Sequence, residues 1–413
     1  MKDRLRVFGA AAALAAAVLA FGAAFAAPRP AWVGSWASAQ MLPENKDAID
    51  PAAMSHATLR QIVRLTVGGE AVRVTLSNAF GTEPLHVAKV HVAEAVLPSS
   101  SAIKPATDRA VTFGGRNDVV IPAGANYTSD EVKLPVKARA DLAITILFDQ
   151  APANETSHPG SRSTSYLLSG DHVGDVEMKD AASMNHWYQI AAVEVLARKS
   201  AGAVVALGDS ITDGHASTTN GNDRWPDFLA ERLVAAGAPV GVLNLGIGGN
   251  RLLNDGLGPN VLARFDRDVL AQNGVRTVIV LEGVNDLGVL TLNRPATPAE
   301  HAEMVARIVD SYRQIVLRAH RQGIRAIGAT VTPYGGSDYY HPTAENEADR
   351  QAVNKWIRTP GNFDAVIDFD AALRDPEHHD RLLPAYDCGD HLHPSPVGYK
   401  AMAAAISLSS IVP

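Results

Sequence analysis

Apolar residues in this chain change their period near residue 200. From Thr58 they recur every second position, with Leu59, Val63, Leu65 and Val67 on one face and Arg60, Arg64 and Thr66 on the other. After Gly68-Gly69 the alternation resumes as Val72, Val74 and Leu76 against Arg73, Thr75 and Ser77, which reads as a β-hairpin about the glycine pair. Short strands are expected to follow over 85–92, 110–113, 118–121, 132–134 and 142–148, ahead of a last apolar run over 187–196. With no amphipathic helix between them, these strands predict an all-β sandwich or jelly roll. Beyond residue 200, apolar strands (203–207, 240–245, 277–281, 325–331 and 365–369) alternate with helices over 225–236, 261–270, 298–322 and 344–358. The third helix is well marked, with Thr297 as N-cap, Pro298 at its first position, Glu300 completing a capping box and Gly323 at its end. A last helix is expected from Ser395-Pro396. Strand–helix repetition predicts an α/β domain, a parallel sheet of about five strands in a three-layer α/β/α arrangement.

The expected organisation is a signal peptide over 1–27, a β-sandwich over 28–200 and an α/β domain over 201–413. Lys2, Arg4 and Arg6 precede an uncharged, alanine-rich run to Ala27, and Ala24-Phe25-Ala26 fits a small-x-small cleavage site. The run is long enough to span a bilayer, so a retained anchor is the alternative. Cleavage leaves a secreted or periplasmic protein with no stable membrane insertion and a formal charge of about −9, against −7 for the whole chain. That balance offers no basic face to nucleic acid. Cys388 is the single cysteine, so no intramolecular disulfide forms.

Four stretches of the second half fall at strand ends or before the last helix, and would gather at the carboxyl edge of the sheet. They are Gly208-Asp209-Ser210, Asn244 to Asn250, Glu282-Gly283-Val284-Asn285-Asp286, and Asp390-His391-Leu392-His393. Together they offer what ester hydrolysis needs. Ser210 is the candidate nucleophile, His393 the base, and Asp390, three residues earlier, the group that orients the imidazole. The N–H groups of Ser210 and Gly249 and the amide of Asn285 are candidate oxyanion donors. Each stretch alone has a plainer reading as a turn or a cap. His391 and His393, with His378 and His379 nearby, raise a metal site, but the spacing is not that of a zinc site. No metal and no cofactor are expected. Two further loops are candidates for substrate contact, although each reads first as an ordinary surface loop. One is 151–172, with Arg162, Tyr166 and His172; the other is 334–342, with Tyr339 and Tyr340.

In their joint order the four stretches resemble the sequence blocks of the SGNH, or GDSL-type, hydrolase superfamily. Gly208-Asp209-Ser210 corresponds to its first block, Gly249 (or Gly248) to its glycine, Gly283-Val284-Asn285-Asp286 to its asparagine block and Asp390 to His393-Pro394 to its last. The resemblance covers 203–413 and implies a flavodoxin-like domain, a metal-free serine esterase mechanism and a shallow, open active site. The Gly-x-Ser-x-Gly elbow of the larger α/β-hydrolases is absent around Ser210. In layout, the first half is similar to the β-sandwich that precedes the catalytic domain in some secreted carbohydrate acetylesterases. The expected function is therefore a secreted serine esterase acting on short-chain esters of small molecules or glycans, acetylated sugars first. A lysophospholipase or thioesterase on the same residues is one rival. A carbohydrate-binding protein with a silent hydrolase domain is another. Oligomeric state is not legible.

Overall fold

The computed structural model describes residues 30–198 and 200–411. The expected signal peptide lies outside them. Up to Ala197 the chain forms antiparallel β-structure. Ala31–Ala37, Ile190–Ala197, Val72–Ser77 and Asn126–Thr128 make a four-stranded sheet in that order, and Ala57–Arg64, Asp141–Phe148 and Leu85–Glu94 run side by side in a seven-stranded one. Ala57–Arg64 and Val72–Ser77 thus belong to different sheets, and the expected hairpin is instead a corner. Alternation is the same whichever sheet a strand joins. What decides is the approach of other chain segments: a Cβ on Gly68 would press on Val136 O, and one on Gly69 on Leu196 O. The seven-stranded sheet also buries polar groups in satisfied form. Arg60, fully buried, donates to Thr145 Oγ1 (2.9 Å) and Ser101 O (2.6 Å).

The second half is built on five parallel strands, Gly202–Gly208, Val240–Gly246, Val275–Leu281, Arg325–Ala329 and Ala365–Ile367, lying in the spatial order 2-1-3-4-5. This is the flavodoxin-like order, whose switch point lies between the first and third strands. Its first strand is buried at every position and its third from Thr277 onward, as a sheet covered on both faces requires. Helix Pro298–Arg321 starts as its sequence dictates, with Glu300 Oε2 accepting from Thr297 N (2.7 Å), and buries Ile308, Tyr312, Ile315 and Ala319. The expected helix over 261–270 is α-helical for Val261–Phe265 and then widens to a π turn over Asp266–Leu270. A helix not foreseen, Val284–Thr291, follows the third strand. Among the described residues, no helix is long and apolar enough to cross a membrane.

The two halves share one apolar core. Val240–Gly246 is an edge strand of the parallel sheet, and the all-β half covers it. Thr66 Oγ1 accepts from Val242 N (2.9 Å), Gly34 O lies against Gly241, and Gly34 N donates to Asn273 O (2.9 Å). His158 is buried at this boundary. Its Nδ1 donates to Ala39 O (2.8 Å) and its Nε2 meets Asp213 Oδ1 (2.9 Å), on the helix that begins with Ser210.

Candidate active site

Ser210 opens a four-residue helix, Ser210–Asp213, directly after the first parallel strand. Asp209 caps that helix by accepting from Ile211 N (2.9 Å), and Gly214 ends it in the left-handed region at φ 103°. The helix lies so tightly against the second strand that a Cβ at Gly246 would fall on Asp213 N. His393 comes from the far end of the chain, just before helix Pro396–Ala405 and its Ser395 N-cap. Ser210 Oγ stands 2.8 Å from His393 Nε2, and His393 Nδ1 stands 2.6 Å from Asp390 Oδ2. A carboxylate only accepts, so Nδ1 carries the proton and Nε2 presents its lone pair to the serine hydroxyl. Asp390 is fixed by its own loop, with Oδ1 accepting from the backbone N–H groups of Leu392 (2.9 Å) and His393 (2.8 Å). Burial opposes its ionisation, but hydrogen bonds from the His393 ring and backbone outweigh it and hold the carboxyl well below the usual range. Cys388 is set aside by its chemistry, because burial pushes its thiol up to about 11 and thiolate is scarce at neutral pH.

Ser210, Gly249 and Asn285, which carry the three candidate donors, line one cleft. The N–H groups of Ser210 and Gly249 have no hydrogen-bond partner among the described residues. Gly249 adopts φ 66°, which a side chain would disfavour. Asn285 supplies the third. Its Nδ2 donates to Asn250 O (2.7 Å), which leaves one N–H, and its Oδ1 accepts from Tyr340 Oη (2.6 Å). The reverse orientation of the amide would set Oδ1 against a carbonyl oxygen, so the contacts permit only this one. Tyr340 packs its ring over Gly288 of helix Val284–Thr291, and burial pushes its phenol far above neutrality, so it remains a donor.

Behind this surface lies a buried ionic core. Arg264, fully buried, donates to Leu245 O (2.7 Å), Gly208 O (3.0 Å), Asn250 Oδ1 (2.7 Å) and Asp268 Oδ2 (2.9 Å). It thereby ties the ends of the first two strands to the loop that carries Gly249. Asp286 accepts from Leu252 N (2.9 Å) and Leu253 N (3.1 Å) and holds the far side of that loop. Burial raises Asp286 to about 6 against its backbone hydrogen bonds, and it raises Asp209 and Glu282 as well, with the charge of Asp286 adding to both.

The structure thus brings Ser210, His393, Asp390, Gly249 and Asn285 to one edge of the sheet. Of the loop candidates, Tyr339, Tyr340 and Arg162 reach clefts that open on Ser210. Tyr166 and His172 do not; His172 is engaged with Asp175 Oδ2 (2.7 Å) and Ser169 O (3.0 Å). Sequence reasoning missed His215, whose ring centroid lies 4.0 Å from that of His393. Arg162 Nη2 donates to His215 Nδ1 (3.2 Å), and His215 Nε2 lies 3.9 Å from Asp390 Oδ2. Partial burial, with His393 and Arg162 acting in the same direction, lowers His215 to about 4, so this second imidazole is neutral. The only sequence signal for it was a polar residue following the left-handed Gly214. His215, Asp390 and His393 offer ligand atoms within 4.8 Å of one another, and of these Asp390 and His393 are already joined to each other and to Ser210 by hydrogen bonds.

Residues 206–401 match the GDSL-like Lipase/Acylhydrolase family. This half of the chain is a GDSL-like lipase/acylhydrolase domain. With this domain the protein is a carboxylic ester hydrolase. No curated protein matches the chain in sequence. Among solved structures, the GDSL-like domain is similar to a GDSL-like lipase from Bacteroides thetaiotaomicron VPI-5482 (19% identity over 51% of this chain and 87% of that one, TM-score 0.38). It is also similar to the lipase/acylhydrolase from Enterococcus faecalis (22%, 51% and 95%, TM-score 0.37) and to the acetylxylan esterase Axe2 from Geobacillus stearothermophilus (23%, 49% and 91%, TM-score 0.37).

Proposed function

We propose that the protein is an exported serine esterase that removes short acyl groups, acetyl first, from hydroxyl-rich alcohols such as sugars. The observation that carries the reading is the unbroken line from Ser210 Oγ through His393 to Asp390, closed between residues 183 positions apart. Ser210 Oγ attacks the ester carbonyl carbon while His393 Nε2 takes the hydroxyl proton. The carbonyl oxygen, now negative, is received by Ser210 N–H, Gly249 N–H and Asn285 Nδ2. On collapse the bond from carbon to the alcohol oxygen breaks, and the proton on Nε2 passes to the leaving alcohol. Water then repeats the sequence on the acyl-serine, releasing the acid and restoring Ser210. Asp390 keeps the imidazole in one tautomer throughout. The acyl group would lie in the cleft of about 570 Å³ that these residues line, beside Leu257, Val289, Tyr339 and Leu392 and with Arg251 on its wall, and the ester series below reads its length.

The test combines a serine-directed phosphonate with a series of esters of rising chain length. The phosphonate should stop turnover and leave its adduct on Ser210 by mass spectrometry. Ser210→Ala should lose turnover by at least about 10³-fold with its unfolding transition unchanged. The rate optimum should fall at acetate; an optimum at long chains would replace the sugar-ester reading with a lipid-directed one.

A further inference from the structure

A second cleft, of about 440 Å³, opens on Ser210 from the other side, and most of its wall comes from the all-β half. Three separate loops of that half supply Glu44, Lys46, Asp47, Arg162, Asn185 and His186. We propose that this cleft is the subsite for the alcohol part of the ester, and that Arg162 and Asn185 hold a hydroxyl-bearing alcohol there. The inference rests on the esterase reading above and adds where each half of the substrate lies.

Three observations support it. The first is position. The cleft shares Ser210, His215, Gly248 and Leu257 with the cleft that contains the oxyanion donors, yet it contains neither Gly249 nor Asn285. A carbonyl oxygen seated on those donors therefore leaves the other substituent of the ester pointing past His215 into the second cleft. The second is chemistry. Charged and amide groups on the wall would be desolvated without return by a hydrocarbon chain, whereas hydroxyl groups can both donate to and accept from them. The third is the state of Arg162. Its Nη2 reaches the neutral His215 ring and its Nε is shut off from solvent without a hydrogen-bond partner among the described residues. It is nevertheless held firmly. Its backbone lies in the left-handed region at φ 50°, its carbonyl accepts from Asn220 N (2.9 Å), and Asn220 Oδ1 accepts from Thr164 N (2.8 Å). The Asn185 amide is tied to the same loop by a hydrogen bond with Thr164 Oγ1 (3.2 Å), which leaves its other end available. A guanidinium and an amide, both set in place beside the reacting serine, are suited to bidentate contacts with vicinal hydroxyls.

The experiment holds the acyl group constant and varies the alcohol: ethyl acetate, glyceryl monoacetate and a monoacetylated methyl pyranoside, each assayed with wild type, Arg162→Ala and Asn185→Ala. Wild type should favour glyceryl monoacetate over ethyl acetate in kcat/KM. In Arg162→Ala that preference should shrink about tenfold or more, mainly through KM, as expected for a lost hydrogen bond from a charged group. Asn185→Ala, whose side chain lies at the surface, should shrink it by a smaller factor and guards against a folding defect at the strained Arg162. Equal losses on all three esters, or a wild type indifferent to the hydroxyl groups, would overturn the subsite. If the pyranoside is refused while the glyceryl preference exists and depends on Arg162, the sugar reading fails and the subsite stands.

Discussion

The Asn285 amide owes its orientation to a second residue, Tyr340. Tyr340 Oη holds Oδ1 and Asn250 O takes one N–H, and the mechanism proposed above gives the remaining N–H to the developing oxyanion. Tyr340→Phe is expected to lower kcat about tenfold with KM little changed, less than the 10²–10³ typical of losing an oxyanion donor outright. In an Asn285→Ala background the same change should do nothing more, and a double-mutant cycle of kcat checks this. A merely structural role for Tyr340 would give additive losses. His215 allows a second check at this scale. Its imidazole should titrate near pH 4 by NMR, and Arg162→Ala should move it upward, because a cation that disfavours the charged ring has been removed. Ser210, Asn285, Asp390 and His393 were legible because each stands in a short local pattern at a strand or helix end. Arg162 and Tyr340 were legible only as members of candidate loops, and His215 not at all, because their places at the site come from approaches between distant segments, which no local spacing records.

Among the elements, the loop over 246–253 is the part most dependent on buried charge. Arg264 is the hub, reaching two strand ends and Asn250 at once. Replacing it by Met should destabilise the protein by about 3–5 kcal/mol in urea unfolding, the range for removing one partner of a buried ionic group. It should also slow turnover through the Asn250–Asn285 contact. His158→Ala should act on the other side of Ser210, weakening the hold of the all-β half on helix Ser210–Asp213. The parallel strands and capped helices were readable because burial and caps write themselves into sequence period and end residues; helix Ala344–Arg358 was placed to the residue. Helix Val284–Thr291 was not, because Gly288 and the β-branched Val284, Val289 and Thr291 are poor helix formers, and packing under Tyr340 overrides their preference. The corner at Gly68-Gly69 was misread because a turn within one sheet and a crossing between two look alike in sequence.

For the molecule as a whole, the buried carboxyls behind the site set a pH dependence. Asp286 keeps its proton to about pH 6 in the folded state, whereas the unfolded chain releases it near 3.8. Between those values the folded state binds more protons, so the free energy of unfolding falls as pH rises, by on the order of 3 kcal/mol from this group. Asp209 and Glu282, raised for the same reason, continue the decline above pH 6. Asp390 acts in the opposite sense, since its depressed folded-state value adds stability that is complete above the ordinary carboxyl range and is lost as pH falls below it. Urea unfolding from pH 4 to 7.5 should therefore show stability decreasing with pH, and Glu282→Gln should flatten the slope. At this scale the sequence announced an all-β half and a five-stranded parallel half, because each has its own hydrophobic period. It gave no sign that the halves share a core, since residues such as Thr66 and Gly34 look unremarkable until Val240–Gly246 lies against them.

That last contact has a practical meaning. An enzyme trimmed to its GDSL-like portion would bare an apolar strand with unsatisfied amides, a ready template for self-association. Such a fragment is expected to sediment on expression, while the untrimmed polypeptide stays in solution. The β-structure would then serve as a permanent guard on its neighbour's margin, whatever else it contributes to turnover.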